Sequence, residues 1–227
     1  VSVLGGGSWG TTLAHLLAEN GHETRLWMRR REVIDSINKK RENCRHLPGL
    51  KLSSKNLIAT DSLQEAVENV PTIIVAIPSK AFRNVVTEAA EFLKGDQVVL
   101  SATKGFEKDT GKRMTEVLVD ESCCLKVGAL SGPNLAKEIV AGQPAATVIA
   151  SRFDEVIRRG ASLFHSPQFR VYGNHDVVGC EVGGALKNII AIASGVCNVL
   201  GYGGNTTSLL IPPGLAAIPR LGVALCS

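Results

Sequence analysis

The sequence predicts an α/β protein. A doubly wound, mostly parallel sheet is expected over residues 1–174, followed over residues 175–227 by the incomplete start of an all-α domain. Three observations carry that expectation. Short apolar runs alternate with amphipathic helix-like segments through the first three quarters of the chain, the pattern of parallel strands covered by helices on both faces. A glycine-rich turn joins the first apolar run to the first helix-like segment. After Gly173 strand signals stop, and helix-period apolar residues continue, interrupted by Gly201-Tyr202-Gly203-Gly204 and Pro212-Pro213.

In chain order, strands are predicted at Val1-Leu4, Thr24-Met28, Leu57-Thr60, Thr72-Ile77, Gln97-Ala102, Lys126-Ser131, Ala146-Ala150 and Phe169-Tyr172. Each is a short, mainly apolar run. Helices are predicted at Trp9-Glu19, Ser62-Glu68, Lys80-Leu93, Gly111-Val119, Leu135-Val140 and Phe153-Phe164, where apolar residues recur three to four apart. From Asp176 onward a helical domain begins. The proline pair at 212–213 marks a helix end or an altered tail, because proline lacks the N–H and clashes with the preceding turn.

With 227 residues and 44% hydrophobic content, the chain can bury a core. A net charge of +4 and only 4% aromatic residues argue against a nucleic-acid partner. The basic excess is local: ten Lys or Arg stand against three acids between Arg25 and Lys55. Of these, Lys39-Lys40-Arg41 and Arg45 read as a solvated face. The six cysteines (Cys44, Cys123, Cys124, Cys180, Cys197, Cys226) have no metal-ligand or C-x-x-C spacing, so no metal site is expected and buried reduced thiols fit best. No secretory n-region is visible, and the longest uninterrupted apolar runs fall short of the roughly 18 residues of a membrane span. A soluble protein of the cytoplasm is expected. The sequence starts at Val1 without methionine and stops after an apolar helical stretch, as part of a longer protein would.

Val1-Ser2-Val3-Leu4 runs into Gly5-Gly6-Gly7-Ser8-Trp9-Gly10 and then into a helix closed by Gly21. This is G-x-G-x-x-G between a strand and a helix, with a strand again at Thr24-Met28. In that setting Gly5 permits the tight turn, Gly7 lets a pyrophosphate approach the backbone, Gly10 allows close helix–strand packing, and the helix start supplies N–H donors. A Rossmann-type dinucleotide site follows. An NAD-selective site carries an acid at the end of the second strand, about 20 residues beyond the loop. Here Arg29-Arg30-Arg31 stand there instead, and guanidinium groups match the 2′-phosphate of NADP. NADP(H) is therefore preferred, with NAD(H) as the alternative.

Ligands of open α/β sheets bind beyond the carboxyl ends of the strands. Ile77-Pro78-Ser79-Lys80, Ser101-Ala102-Thr103-Lys104-Gly105 and Ser131-Gly132-Pro133-Asn134-Leu135-Ala136 occupy those places. Lys104 should overhang the nicotinamide end of the cofactor, and Gly132-Pro133 opens a helix with Asn134 as a cap or ligand contact. Farther on, Lys187 is the only charged side chain between Glu181 and Arg220, in an apolar, glycine-rich helical run. Helical spacing places Leu186, Ile189, Ile190 and Ala193 on a buried stripe and Gly183, Lys187 and Ala191 on an adjacent face. A lysine there either reaches water along its stem or points into a polar cleft at an anion.

Taken together, Gly5-Gly6-Gly7-Ser8-Trp9-Gly10-Thr11-Thr12-Leu13-Ala14, Ala102-Thr103-Lys104-Gly105, Ser131-Gly132-Pro133-Asn134-Leu135-Ala136-Lys137-Glu138, Phe169-Arg170-Val171-Tyr172 and Gly183-Gly184-Ala185-Leu186-Lys187-Asn188 resemble the bacterial NAD(P)-dependent glycerol-3-phosphate dehydrogenases, in order and spacing over nearly the whole chain. The resemblance implies reduction of dihydroxyacetone phosphate to sn-glycerol 3-phosphate in the cytoplasm, feeding glycerophospholipid synthesis, by an enzyme that frequently forms homodimers. Carried over residue by residue, it implies that Ser8, Trp9, Arg29, Arg30 and Ala136 contact the cofactor, Lys104 both cofactor and substrate, and Gly132 and Asn134 the substrate. Lys187 corresponds to the catalytic lysine. The family continues past this chain with an aspartate and an arginine–asparagine pair, and its helix after Gly201-Tyr202-Gly203-Gly204-Asn205 has a Thr-Arg pair where Pro212-Pro213 stand here. Two other readings keep the cofactor domain: a ketopantoate-reductase-like or hydroxyacid-dehydrogenase-like enzyme, and an NADP-binding fragment without turnover.

Overall fold

In the computed structural model the described residues are 1–52 and 54–226, the side chains of 225 and 226 excepted. The elements run β1 (Ser2–Leu4), α1 (Ser8–Glu19), β2 (Thr24–Trp27), α2 (Arg31–Asp35) with a π-helical continuation over Ser36–Lys40, β3 (Leu57–Thr60), α3 (Leu63–Val67), β4 (Thr72–Val75), α4 (Ser79–Ala90), β5 (Val98–Ser101), α5 (Met114–Glu121), β6 (Val127–Ser131), α6 (Ala136–Val140), β7 (Ala145–Ala150), α7 (Asp154–Phe164), β8 (Phe169–Asn174), α8 (Val177–Val199) and α9 (Gly204–Cys226). Each predicted strand is present, shortened by a residue or two at an end in most cases. The strands order as β3-β2-β1-β4-β5-β6-β7-β8 in one eight-stranded sheet. All pairs are parallel except β6 with β7. The order reverses between β1 and β4, which opens a crevice at the carboxyl ends of those two strands, where such sheets bind ligands.

Central strands buried on both faces explain the continuous apolar runs. Thr72, Ile73, Ile74 and Val75 of β4 are all buried, as are Val98, Val99, Leu100 and Ser101 of β5. Two cores result, one on each face. Leu13, Leu17, Leu26, Ile74, Leu100, Ile149 and Phe164 pack on the side of α1 and α7. Leu4, Ile73, Val75, Phe82, Val86, Val117 and Leu118 pack on the side of α4 and α5.

The helix over Arg31–Lys40 was not expected, because its charged residues read as a basic surface. Its inward residues Val33, Ile34 and Ile37 are nevertheless buried. The start of α5 also falls later than Gly111: Arg113 caps it, with its backbone N–H donating to the Glu116 carboxylate at 2.8 Å.

Helix α9 corrects the expected break at Pro212-Pro213, since it runs through Pro212, Pro213 and Pro219. The carbonyls deprived of a donor belong to Ser208, Leu209 and Leu215, residues that are all exposed. A Cβ on Gly214 would lie 2.8 Å from Ile190 Cγ1, so α9 lies close against α8. On α8 the expected stripe needs amendment: Ile189 is 62% exposed, whereas Leu186, Ile190 and Ala193 are half-buried. Helices α8 and α9 are each long and apolar enough to cross a membrane by length and composition, over Val177–Val199 and Gly204–Ala224. Counting uninterrupted apolar runs missed this, since glycine, serine and asparagine punctuate both without adding charge. The thiols also depart from the expected burial: Cys124 is buried and Cys180 and Cys197 are half-buried, but Cys44 and Cys123 are exposed. The side chain of Cys226 lies outside the described residues.

Candidate active site

The glycine turn sits at the carboxyl end of β1, beside the reversal point of the sheet. Gly5 has φ +122°, and a Cβ there would stand 2.3 Å from the Ala76 carbonyl oxygen of the neighbouring β4 loop. A Cβ on Gly10 would stand 1.8 Å from the Gly5 carbonyl oxygen, so this glycine sets how closely α1 approaches the turn. Gly7 is different. It has ordinary backbone angles (φ −72°, ψ −178°), and a Cβ there would meet nothing within 4 Å. Gly7 therefore faces open space at the start of the 12-residue α1, whose first turn carries no acidic residue. Unpaired N–H groups and the positive end of the helix dipole suit an anionic ligand there. The residues present fit the pyrophosphate of a dinucleotide.

The turn is held from outside by a loop that sequence reading did not single out. Asn43, fully buried, donates from Nδ2 to the Gly6 carbonyl at 3.1 Å and to Thr11 Oγ1 at 2.8 Å, and its Oδ1 accepts from the His46 N–H at 3.0 Å. Ser8 Oγ donates to the His46 carbonyl at 3.1 Å. The hydroxyl of Ser8 is thus engaged within the protein. Trp9 Nε1 is a buried donor without a partner among the described residues. Only an N-x-x-H spacing pointed to this clamp in the sequence, and that spacing has no meaning until the loop is seen folded back on the turn.

Beyond β2, Arg29 and Arg30 are exposed. Arg30 lies 3.8 Å from Glu32, a loose pair. Arg31 is committed to Asp61 at 3.1 Å. His46 is held below its ordinary pKa, first by burial and then by the cations Arg45 and Arg30, which places a cationic rim beside the turn. Arg41 corrects the expected solvated face. Its Nε donates to the Leu52 carbonyl at 3.2 Å and Nη1 to the Leu57 carbonyl at 2.9 Å, pinning the β2–β3 connection, while Lys39, Lys40 and Arg45 are exposed.

Along the carboxyl edge toward β6 the second group of residues gathers. Thr103 Oγ1 contacts the Ile77 carbonyl at 2.8 Å, tying the loop after β5 to the loop after β4. Lys104 follows, half-buried, and its Nζ donates to the Gly132 carbonyl at 3.1 Å. Burial lowers its pKa, and the positive charge of Lys187 lowers it further. The two lysines are therefore electrostatic neighbours. Asn134 Nδ2 donates to the Ala146 carbonyl at 2.8 Å, and its Oδ1 is a buried acceptor with no partner among the described residues. Ala136 is the first residue of α6, half-buried.

Helix α8 brings Lys187 to this edge. Glu181, 7% exposed, anchors its first turns: the carboxylate accepts from the Thr115 N–H at 2.9 Å, from Thr115 Oγ1 at 2.5 Å and from Arg113 Nη1 at 3.0 Å. Burial raises the pKa of Glu181 despite these donors. A Cβ on Gly184 would stand 2.6 Å from Ser131 Oγ, so α8 rides directly on the end of β6. Lys187 is exposed, its Nζ 3.2 Å from Asn188 Oδ1, and it lines an open cleft of about 780 Å³ together with Gly132, Pro133, Gly183, Cys180 and Ile218. Burial pushes the Cys180 thiol up to about 12, so it is a neutral wall of that cleft. Lys187, Lys104, Gly132 and Asn134 are thus brought together. Gly5, Gly7, Ser8, Trp9, Gly10, Arg29 and Arg30 form a separate group, and β1 and β6 are three strand steps apart in the sheet, about 14 Å at ordinary strand spacing.

Comparison with known proteins identifies the family. Residues 1–157 match the family model of the NAD-dependent glycerol-3-phosphate dehydrogenase N-terminus, and residues 176–227 that of the NAD-dependent glycerol-3-phosphate dehydrogenase C-terminus. The chain is 48% identical over 225 residues to glycerol-3-phosphate dehydrogenase NAD(P)+ 2 of Sphingopyxis alaskensis, covering 99% of this chain and 67% of that protein. It is 44% identical over 225 residues to glycerol-3-phosphate dehydrogenase NAD(P)+ of Bacillus mycoides, covering 98% and 66%. The crystal structure of glycerol-3-phosphate dehydrogenase from Coxiella burnetii superposes with a TM-score of 0.91 at 34% identity, covering 99% of this chain and 68% of that one. The chain therefore spans about two thirds of the length of these relatives. On the strength of both family models and these relatives, the chain belongs to the NAD-dependent glycerol-3-phosphate dehydrogenase family.

Proposed function

We propose that this chain reduces dihydroxyacetone phosphate to sn-glycerol 3-phosphate, reversibly, using NADPH in preference to NADH and supplying glycerophospholipid synthesis in the cytoplasm. One observation carries the reading: two lysines from separate elements, Lys104 after β5 and Lys187 on α8, converge at the carboxyl edge of the sheet that holds the glycine turn.

In this reading residues 1–174 form the cofactor domain and residues 175–227 begin the substrate and dimerisation domain. The open face of Gly7 and the N–H groups of Ser8 and Trp9 take the pyrophosphate, with Gly5 and Gly10 shaping the turn. Arg29 and Arg30 take the 2′-phosphate, and no acid stands there to select a free ribose hydroxyl. Lys104 and Ala136 flank the nicotinamide end. When bound, the reduced nicotinamide supplies a hydride to the ketone carbon. Lys187 then holds and protonates the ketone oxygen as negative charge develops on it, and in the reverse direction its neutral amine takes that proton back. Lys104 orients the substrate and adds positive field. Gly132 and Asn134 hold the substrate. Cytoplasmic residence accords with the free thiols among the described residues. A homodimer and the lack of a membrane span belong to the same proposal.

The test is the initial rate of NADPH oxidation with dihydroxyacetone phosphate, beside NADH and beside unphosphorylated dihydroxyacetone. Turnover restricted to the phosphorylated ketone and faster with NADPH is expected. Lys187→Ala should lower kcat by about 10²–10⁴ while leaving NADPH affinity within about twofold. A chain that binds NADPH but oxidises none with dihydroxyacetone phosphate, or a Lys187→Ala variant at near-full turnover, overturns the reading.

A further inference from the structure

We infer that Asn43 is a positioning residue for cofactor binding: it fixes the peptide plane of the glycine turn that presents an N–H to the dinucleotide. Both N–H donors of its amide are used, and its oxygen accepts one bond. One Nδ2 hydrogen goes to the Gly6 carbonyl (3.1 Å), the other to Thr11 Oγ1 (2.8 Å), and Oδ1 accepts from the His46 N–H (3.0 Å). Asn43 and Thr11 are both fully buried, so no water substitutes for the bond between them.

Peptide geometry gives the bond to Gly6 its consequence. In a trans peptide the N–H of one residue points opposite to the carbonyl of the residue before it. Among the described residues all peptides are trans. Holding the Gly6 carbonyl on Asn43 therefore turns the Gly7 N–H away from Asn43. The Gly7 N–H has no acceptor among the described residues, and the space that a Gly7 side chain would occupy is open. Glycine is the residue least able to hold such an orientation by itself. With three glycines in succession at 5–7, the turn needs an outside restraint, and Asn43 supplies it from a loop more than thirty residues along the chain. The bond to Thr11, one residue past the close contact of Gly10, locks the same amide to the first turn of α1, so that turn and helix start move as one unit.

This inference rests on reading Gly5–Gly10 as the cofactor turn, and the experiment separates the two. NADPH and NADH dissociation constants are measured by cofactor fluorescence on the whole chain, together with thermal midpoints, for wild type, Asn43→Asp, Thr11→Val and Asn38→Asp. Asn38 is the control. Its Nδ2 donates to the Ala59 carbonyl at 2.9 Å and its Oδ1 accepts from the Ala59 N–H at 2.8 Å, the same kind of anchor in the same connection, but away from the turn. Asn43→Asp and Thr11→Val should raise both dissociation constants about tenfold, which is 1.4 kcal/mol, by the same factor for NADPH and NADH. Asn38→Asp should lower the thermal midpoint and leave both constants within about twofold. If either folded variant, Asn43→Asp or Thr11→Val, binds both cofactors as tightly as wild type, the inference is overturned. It is overturned equally if Asn38→Asp weakens binding as much as they do, since the effect is then general loosening. Failure of the wild-type chain to bind either cofactor removes the reading of the turn itself.

Discussion

At the scale of single residues, the three glycines of the motif do different jobs, and substitution separates them. Gly7 has backbone angles that alanine adopts freely and open space where a Cβ would stand. Gly10 has the Gly5 carbonyl oxygen 1.8 Å from that point, backbone against which nothing can yield. Gly7→Ala is therefore expected to melt within a degree or so of wild type while losing at least about tenfold in NADPH affinity, because its methyl occupies the place the pyrophosphate needs. Gly10→Ala is expected to destabilise the fold by about 1–3 kcal/mol or more, the usual cost of overpacking, seen as a lower urea midpoint before any cofactor is added. A Gly7→Ala chain that binds NADPH normally would remove the turn from the site. Lys187 makes a related point about what a single residue conveys. Its isolation among apolar neighbours marked it out in the sequence, yet only the fold sets it beside Lys104 at the same strand edge.

At the scale of elements, α4, α5 and the connection after β5 are cross-linked by one guanidinium. Arg83 of α4 makes a two-point contact with Glu107 at 2.7 Å for each bond, and also reaches Asp120 and Glu121 of α5. The hydrogen bond from Arg83, then that from Thr110, holds the Glu107 carboxyl at about 2, down from the ordinary 4.5. A carboxyl with a depressed folded-state pKa contributes stability above its unfolded pKa and loses that contribution as pH falls toward the folded value. Glu107→Gln should accordingly melt below wild type at pH 7, and the gap should close between about pH 4.5 and pH 2. Urea midpoints measured across that range test it, and a gap that stays constant would show that the charge on Glu107 is immaterial. This network was not anticipated, because its members come from three separate stretches of an unremarkable charged sequence. The strands were, because burial on both faces of a parallel sheet leaves near-continuous apolar runs such as Thr72–Val75. Helix α2 and its continuation were hidden by their outward charges, and α9 by its prolines. Of the site, the glycine turn and the lysines were readable from local spacing, whereas Asn43 and His46 became meaningful only once the β2–β3 connection folded back onto the turn.

At the scale of the whole molecule, the sheet is covered on both faces while α8 and α9 pack chiefly on each other and leave apolar surface in the open. On α8, Ile189, Ile192, Val196 and Val199 are 62%, 68%, 52% and 88% exposed. Their spacing of three, four and three residues places them on one stripe, the pattern by which helices pair along a seam. Lys187 is the only charge between Glu181 and Arg220, so no like-charge repulsion opposes a second copy laid against this stripe. A lipid bilayer would also accept a stripe of this kind, and both helices are long enough to cross one. Against that stands the start of α8: Glu181 is held against the start of α5 by Thr115 and Arg113, which ties the helix to the body of the sheet. Self-association through α8 is the expected outcome. Sedimentation velocity of the chain should report a species larger than a monomer at micromolar concentration, and Ile192→Glu combined with Val196→Glu should return it to a monomer with NADPH affinity unchanged. Flotation with neutral phosphatidylcholine vesicles should leave the protein in the aqueous fraction. A wild-type chain that stays monomeric at every concentration, or that floats with the vesicles, rules out pairing through this stripe.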